Sequence, residues 1–225
     1  MIRLRELGPE IVHPRWNLDW PKELERLLTT RYFAIERRML ESLQFVDLNE
    51  ENGNSFSIGC ASILRDAGGA FSSTCDQLVR KTQFVDNEIE ETNAAHYRGC
   101  LRKEVPTIPD VCVELEYSYG ERYLVPFDSY RNDSSPEWWE AFTNQKHTEF
   151  EDFKQANLVN CLNAAGALWI LVKLLDYSVA IGSWQTVETK FKSRLFGRVG
   201  TPFSGGIEEI RKLLFKATTK GGTAS

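Results

Sequence analysis

Three polar side chains capable of proton transfer and phosphate contact occur together in PEWWEAFTNQKHTEF, residues 136–150. Asn144, Lys146 and His147 fall within four positions, and His147 is one of only three histidines in the chain. A histidine titrates near neutral pH, which suits proton transfer during RNA strand cleavage, where a 2′-hydroxyl attacks the adjacent phosphate without a metal ion. The pattern predicts His147 as general acid/base, Asn144 as the group that orients the imidazole, and Lys146 as a phosphate contact or as the charge that lowers the histidine pKa.

Such chemistry also needs a cation on the negative charge that develops at the phosphate. Lys146 is the direct neighbour of His147 in the sequence, but on a helix its side chain points about 100° away from the histidine. Arg131 lies in the preceding loop and could fold back, and Arg65 is a second candidate from another predicted helix. We include Arg131 and Arg65, with Trp138 and Trp139, among the predicted substrate-binding residues.

A non-enzymatic interpretation of the same stretch stays open. A histidine near the end of a helix commonly hydrogen-bonds carbonyl groups and favours the negative end of the helix dipole. Large aromatic residues dominate protein cores and interfaces alike, so Trp138, Trp139 and Phe142 could be packing residues or part of a dimer interface. In that case the protein is an interaction module.

Other site types are disfavoured by their missing motifs. The chain has neither G-x-x-x-x-G-K-[ST] nor G-x-G-x-x-G, and it has no G-x-S-x-G. The glycine-rich segment 197–206 is interpreted as a plain loop. The histidines are far apart, the five cysteines form no C-x-x-C pair, and Cys161 is interpreted as an inert core thiol. We therefore predict no metal and no cofactor.

Composition indicates a soluble globular protein. The 225 residues are 42% hydrophobic and 26% charged, with a net charge of −5, which argues against a nucleic-acid binder that uses its whole surface. The start of the sequence does not resemble a secretory signal, and the longest apolar run, residues 164–172, is about half a membrane span. We expect a cytoplasmic protein, no membrane partner, and a buried helix at that run.

Helical periodicity dominates the chain, and one segment alternates with period two. A break is expected near Thr148, since an unbroken helix from 136 to 180 would be unusually long. Gly68 and Gly69 are interpreted as a site of close helix packing. The fold class predicted is mainly α, a single helical bundle domain over 1–225 with a flexible tail at 218–225. The predicted helices are 21–46, 57–82, 87–105, one beginning at 136, and 150–180, with a β-hairpin at 112–127.

The C-terminal part of the chain is basic, unlike the rest. Residues 185–225 hold eight lysines and arginines against three glutamates. Within them, residues 207–217 have the pattern of a short amphipathic helix. This stretch could dock a partner protein or a nucleic acid.

Two blocks of the sequence resemble bacterial helical proteins of the HEPN (higher eukaryotes and prokaryotes nucleotide-binding) superfamily. The first is PEWWEAFTNQKHTEFEDFKQANLVNCLNAAGALWILVKL, with its tryptophan pair and N-x-x-K-H, and the second is NSFSIGCASILRDAGGAF at 54–71. The resemblance implies an α-helical bundle, often dimeric, that handles RNA or nucleotide. Many such proteins are metal-independent ribonucleases of toxin–antitoxin or phage-defence systems, and others are inactive binding modules.

The catalytic signature that the resemblance implies is an arginine, then four to six intervening residues, then a histidine. With His147 as that histidine, the arginine belongs at positions 140–142, where the chain has glutamate, alanine and phenylalanine. The expected arginine is therefore absent from its place. Both possibilities follow: a ribonuclease in which another helix supplies the arginine, or a non-catalytic interaction or dimerisation module of such a system.

Overall fold

The fold is a bundle of helices with a small antiparallel sheet, as the sequence predicts. The structure is a computed structural model that describes residues 22–49, 51–84, 91–116, 123–147, 153–179 and 192–200. Within these ranges there are five α-helices and three strands, joined by short 3-10 turns. The helices are α1 (Lys22–Ser42), α2 (Ile58–Lys81), α3 (Ala94–Glu104), α4 (Glu137–His147) and α5 (Leu158–Val179), and the strands are β1 (Cys112–Leu115), β2 (Tyr123–Leu124) and β3 (Phe196–Gly200).

Helix α2 forms where the sequence predicts it, because its ends carry local signals. The hydroxyl of Ser57 accepts a hydrogen bond from the backbone N–H of Cys60 at 3.0 Å, which caps the first turn. Helix α1 runs antiparallel to α2. Its Arg38 donates to the hydroxyl of Ser62 at 3.2 Å and to the carboxylate of Asp66 at 2.5 Å, while Ser42 lies near Gly59.

Helix α5 is the central helix of the bundle. The apolar run 164–172 is buried throughout, including Gly166, which sits beneath Val113 of the sheet, and this confirms the prediction of a buried helix there. The window Leu158–Leu175 is long and apolar enough to cross a membrane, and 83% of it is buried inside the protein. Core helices of soluble proteins share this property, so the soluble, cytoplasmic assignment stays a prediction.

Helix α4 packs against α2 at a glycine. A Cβ atom placed on Gly68 would lie 2.3 Å from Cγ of Phe142, whereas one on Gly69 would meet nothing within 4 Å. The close-packing prediction for the glycine pair is therefore confirmed at Gly68 and does not extend to Gly69. Further along, the ring of Phe71 meets Trp138 and Trp139 with centroids 5.1 and 5.8 Å away. Residues later in α2 thus contact residues earlier in α4, so the two helices are antiparallel.

The two strands of the predicted hairpin are present, and a third strand joins them in one sheet. The strands lie in the order β2-β1-β3, and β1 pairs antiparallel with both neighbours. The prediction of a plain loop at 197–206 was therefore wrong for its first four residues, which belong to β3. Glu116 Oε1 would be 2.5 Å from a Cβ atom at Gly197, so the glycine there admits a neighbouring side chain. Glu114 of the middle strand β1 is buried, at 7% exposed.

Several predicted boundaries shift at polar caps. Helix α3 begins at Ala94, because the Asn93 side chain accepts from the N–H groups of Ala95 and His96, and residues 91–93 precede the helix. Helix α5 begins at Leu158 rather than 150, because the Asn157 side chain caps it by accepting from Asn160 N–H at 2.9 Å. The break predicted near Thr148 is confirmed, since α4 and α5 are separate helices. The predicted C-terminal helix at 207–217 and the tail at 218–225 lie outside the described residues.

Candidate functional site

The C-terminal end of α4 carries the predicted catalytic trio. The helix starts after Pro136, whose carbonyl accepts from Trp139 N–H at 2.9 Å, and it ends at His147. Lys146 and His147 belong to the last turn, and their side chains are outside what the structure describes. Asn144 is exposed, and its Nδ2 donates to Oε1 of Gln155 at 3.0 Å. This hydrogen bond ties the end of α4 to the turn that precedes α5.

A group of amide side chains surrounds this connection. We call Asn144, Gln145, Gln155, Asn157 and Asn160 the amide junction. Within it, Asn160 Nδ2 donates to the backbone carbonyl of Gln155 at 2.9 Å. Gln145 is only 4% exposed, and both atoms of its amide lack a hydrogen-bond partner among the described residues. A buried amide without partners is costly by about 1–3 kcal/mol, which makes Gln145 an unusual residue beside the predicted site.

Sequence reasoning missed Gln145, although a signal was available. Trp138, Ala141 and Phe142 form the buried stripe of α4, and the next position of that stripe at helical spacing is 145. A polar residue on an otherwise apolar face marks a buried polar group. The other amides could not be linked to it, because their meeting depends on how α4 and α5 are joined.

Arg65 lies toward the same end of the bundle. Gly68 of α2 meets Phe142 of α4, and the two helices run in opposite directions. Both helices rise about 1.5 Å per residue, so the position one turn before Gly68 in α2 lies level with positions 145–146 of α4. Arg65 occupies that turn and its side chain is exposed. The structure thus brings Arg65 level with the part of α4 that carries Asn144.

Arg131 is placed at the other end of α4. It lies in the 3-10 turn Asp128–Asn132 before the helix, and the 11 residues of α4 separate that turn from His147, which is about 15 Å of helix. Its guanidinium is bonded to Asp110, with Nε 3.1 Å from Oδ1, and also to Asp128. The structure does not bring Arg131 to the predicted catalytic residues.

Trp138 and Trp139 are core residues in this fold. Trp138 is 2% exposed, and its indole N–H donates to the carbonyl of Pro126 at 2.8 Å. Trp139 is 9% exposed and meets Trp138 edge to face, with ring centroids 5.9 Å apart. Neither ring faces solvent, which favours the packing interpretation of this pair over substrate contact.

A second buried polar group, centred on Glu36 of α1, ties the sheet to the bundle. Glu36 Oε1 accepts from the backbone N–H groups of Arg194 and Leu195 at 2.7 and 3.0 Å. It also accepts from the hydroxyls of Tyr32, at 3.1 Å, and Ser193. Burial, and then the charge of Glu36, raise the pKa of Tyr32 well above its ordinary value, so the phenol stays protonated and donates. The arrangement anchors the start of β3.

The same face of α1 is stacked on α5. The ring of Tyr32 lies on Trp169 with centroids 4.6 Å apart, and Lys173 places its Nζ 4.2 Å from the Trp169 ring centre. Lys173 is 6% exposed, and such a buried ammonium gains a cation–π attraction of about 2 kcal/mol when desolvated. These contacts hold the helices together and offer no solvent-reachable reacting atom.

No group of three or more metal-ligating side chains is found in the parts of the chain that the structure describes. Comparisons of the chain with protein-family models, with curated proteins and with solved structures gave no match. The site must therefore be interpreted from its own geometry.

Proposed function

We propose that this chain handles RNA as a metal-independent ribonuclease, with its site at the C-terminal end of α4. The observation that carries the proposal is the antiparallel packing that sets Arg65 of α2 level with the turn of α4 bearing Asn144, Lys146 and His147. A HEPN-like site needs an arginine with its histidine, and α4 itself lacks one at the spacing that the resemblance implies. An arginine supplied by α2 restores the missing charge.

Each residue then has a defined role. His147 removes the proton from the 2′-hydroxyl as it attacks the neighbouring phosphate, and later returns a proton to the leaving 5′-oxygen. Arg65 and Lys146 stabilise the charge that builds on the phosphate oxygens. The Nδ2 of Asn144 donates to Gln155, which holds the side chain in place. The Oδ1 of Asn144 accepts a hydrogen bond from the imidazole and orients it.

The electrostatics of this end of the bundle suit an anion. The N-termini of α2 and α5 are adjacent, since Leu158 N–H donates to Ser55 carbonyl at 2.9 Å. Each helix N-terminus carries about half a positive charge from its aligned peptide dipoles. Two such ends near the end of α4 add to the attraction of Arg65 for a phosphate, although the chain as a whole has a net charge of −5.

The test is cleavage of an end-labelled RNA by the purified protein in EDTA, comparing the parent with His147→Ala and Arg65→Ala. We expect loss of cleavage with His147→Ala and a fall of about 10²–10³-fold with Arg65→Ala, the usual effect of removing one group that stabilises transition-state charge. Arg26→Ala is the matched control, because Arg26 is an exposed arginine on the N-terminal half of α1, 3.8 Å from Glu23. This variant should cleave RNA at the parent rate. Intact RNA with the folded parent, or equal losses in Arg65→Ala and Arg26→Ala, would refute the assignment.

A non-catalytic dimerisation module is the second candidate, and exposed apolar residues favour it. Phe45, Phe56, Ile58 and Val159, which we call the end patch, are 86%, 46%, 80% and 41% exposed. They lie at one end of the bundle, because Phe56 pairs with Asn157 and the end of α1 meets the start of α2. Exposed apolar residues grouped in this way are typical of interaction sites.

The occupant that this second candidate predicts is another copy of the chain, as the resemblance implies for HEPN-like proteins. Sedimentation equilibrium of the parent, Ile58→Asp and Leu27→Asp tests it. Leu27→Asp is the control, because Leu27 is 47% exposed but lies in the N-terminal half of α1, away from the end patch. A parent dimer that Ile58→Asp alone dissociates supports the module. A monomeric parent, or dissociation by both variants, counts against the end patch as a dimer interface.

A further inference from the structure

Two cysteines from different helices meet near the N-terminal ends of α2 and α5. Cys161 Sγ lies 3.1 Å from the backbone carbonyl of Cys60, and the two thiols hydrogen-bond to each other. Both are free thiols in buried positions, with Cys60 7% and Cys161 0% exposed. The contact joins residues 101 positions apart in the chain. Packing therefore holds these two thiols beside each other, where oxidation can join them.

The two thiols have opposite acid–base characters. The thiol of Cys161 and then the hydroxyl of Ser57 hydrogen-bond to Cys60 and lower the pKa of Cys60 from 9.0 to about 6, against the opposing effect of burial. The pKa of Cys161 is raised well above its ordinary value, because its proton is shared with Cys60 and because it is buried. One side chain therefore supplies a thiolate nucleophile and the other a protonated thiol beside it.

We propose that Cys60 and Cys161 are an oxidant-responsive pair that closes to a reversible disulfide with a hydroperoxide as the oxidant. The Cys60 thiolate attacks the peroxide and the O–O bond breaks, so that Cys60 becomes a sulfenic acid and hydroxide leaves. The hydroxide takes up the proton that Cys60 released on ionising and becomes the first water. Cys161 then attacks the Cys60 sulfur and forms the S–S bond. Its proton goes to the departing hydroxide, which leaves as the second water, so two thiols and one hydrogen peroxide give one disulfide and two waters.

The remaining thiols provide an internal contrast. Cys75 and Cys100 are also neighbours, since the charge of Cys100 adds to the raised pKa of Cys75, but burial is the main effect on both thiols and raises both pKa values. Burial likewise raises the pKa of Cys112 to about 11. At pH 7, a thiol of pKa about 6 is largely ionised. After allowing for the lower nucleophilicity of a more acidic thiolate, it reacts about 30–90-fold faster than one of pKa about 11.

A bond between these cysteines would fix α2 to α5 immediately beside the amide junction. Cys161 follows Asn160, and Cys60 lies in the turn that Ser57 caps. The chemistry of the pair does not depend on the proposed ribonuclease activity, so its test can fail or succeed independently. Reduction by a thiol reductant returns both residues to their starting state.

The experiment is brief exposure of the folded parent to hydrogen peroxide, followed by alkylation of free thiols and peptide mass mapping without reduction. We expect a cross-linked peptide pair containing Cys60 and Cys161, lighter by two hydrogen atoms and lost on reduction, while Cys75, Cys100 and Cys112 remain alkylated. A folded Cys161→Ser variant should instead yield a Cys60 sulfenic acid that dimedone traps, and the parent should not.

Two results would overturn the proposal. One is a folded parent in which Cys60 and Cys161 both stay alkylatable at peroxide doses that oxidise an unfolded sample. The other is cross-linking of Cys75 to Cys100 before Cys60 to Cys161, which would show that reactivity does not follow the pair described here. The parent measurement stands by itself if the variant fails to fold, and Cys100→Ser is the matched control that should keep the Cys60–Cys161 cross-link.

Discussion

Replacing Gly68 by alanine tests the contact that sets the height of α4 against α2. Both Gly68→Ala and Gly69→Ala gain about 0.5–1 kcal/mol of helix propensity inside α2. At Gly69 the new methyl meets nothing within 4 Å, so the gain should appear as increased stability. At Gly68 the methyl would lie 2.3 to 2.7 Å from three atoms of the Phe142 ring, so the ring and α4 must move.

Overpacking of this kind costs about 1–3 kcal/mol, which outweighs the propensity gain. We therefore expect Gly68→Ala to be about 1–3 kcal/mol less stable than Gly69→Ala, a difference of about 2–12 °C in Tm at about 2–4 °C per kcal/mol for a domain of this size. Urea unfolding followed by circular dichroism measures both variants at equal m-value. Equal stabilities would refute the close contact, and with it the alignment that sets Arg65 level with the end of α4.

Three further outcomes follow from buried polar groups. Trp138→Phe should cost about 2–4 kcal/mol in urea unfolding, because it leaves the Pro126 carbonyl unpaired and opens a small cavity; a loss below 1 kcal/mol would contradict the 2.8 Å hydrogen bond. Glu36→Ala should cost about 2–5 kcal/mol, since two backbone N–H groups lose their acceptor, while the exposed Glu41→Ala should change stability by less than about 1 kcal/mol, and equal costs would count against the anchor. The alkylation rate of Cys60 should rise with pH with an apparent pKa of about 6, and a rate that rises only near pH 9.0 would exclude the thiolate. The parent should also gain stability over Cys60→Ser as pH rises from about 6 toward 9.0. The reason is that a lowered folded-state pKa contributes stability that is lost as pH falls through that pKa.

Helix α2 could be predicted within a residue of its true ends because its signals are local. Ser57 caps it, the apolar spacing runs unbroken across the pair Gly68-Gly69, and its last basic residues suit the negative end of the helix dipole. The same is true of the fold class, which depends on periodicity. Where a cap was overlooked, as at Asn93 and Asn157, the predicted helix began several residues early.

Strand β3 could not be predicted, because its partner is far away in the chain. It pairs with β1 some 85 positions earlier, and its glycines made the segment look like a loop. The candidate site was predictable only in part for the same reason. Asn144, Lys146 and His147 share one helix and could be recognised together, while Arg65 comes level with them only through the direction in which α2 and α4 pack.

The buried carboxylate of Glu36 also sets an order of events during synthesis. Its backbone donors are residues 194 and 195, which are 158 and 159 positions further along the chain. A ribosome adding about 5–20 residues per second needs about 8–30 s to supply them after Glu36 has emerged. Until then the five helices can collapse, but the carboxylate lacks those partners. Joining ends so far apart costs about 4.5 kcal/mol of chain entropy beyond a constant, so completion of the sheet is expected to be the slow, final step of folding.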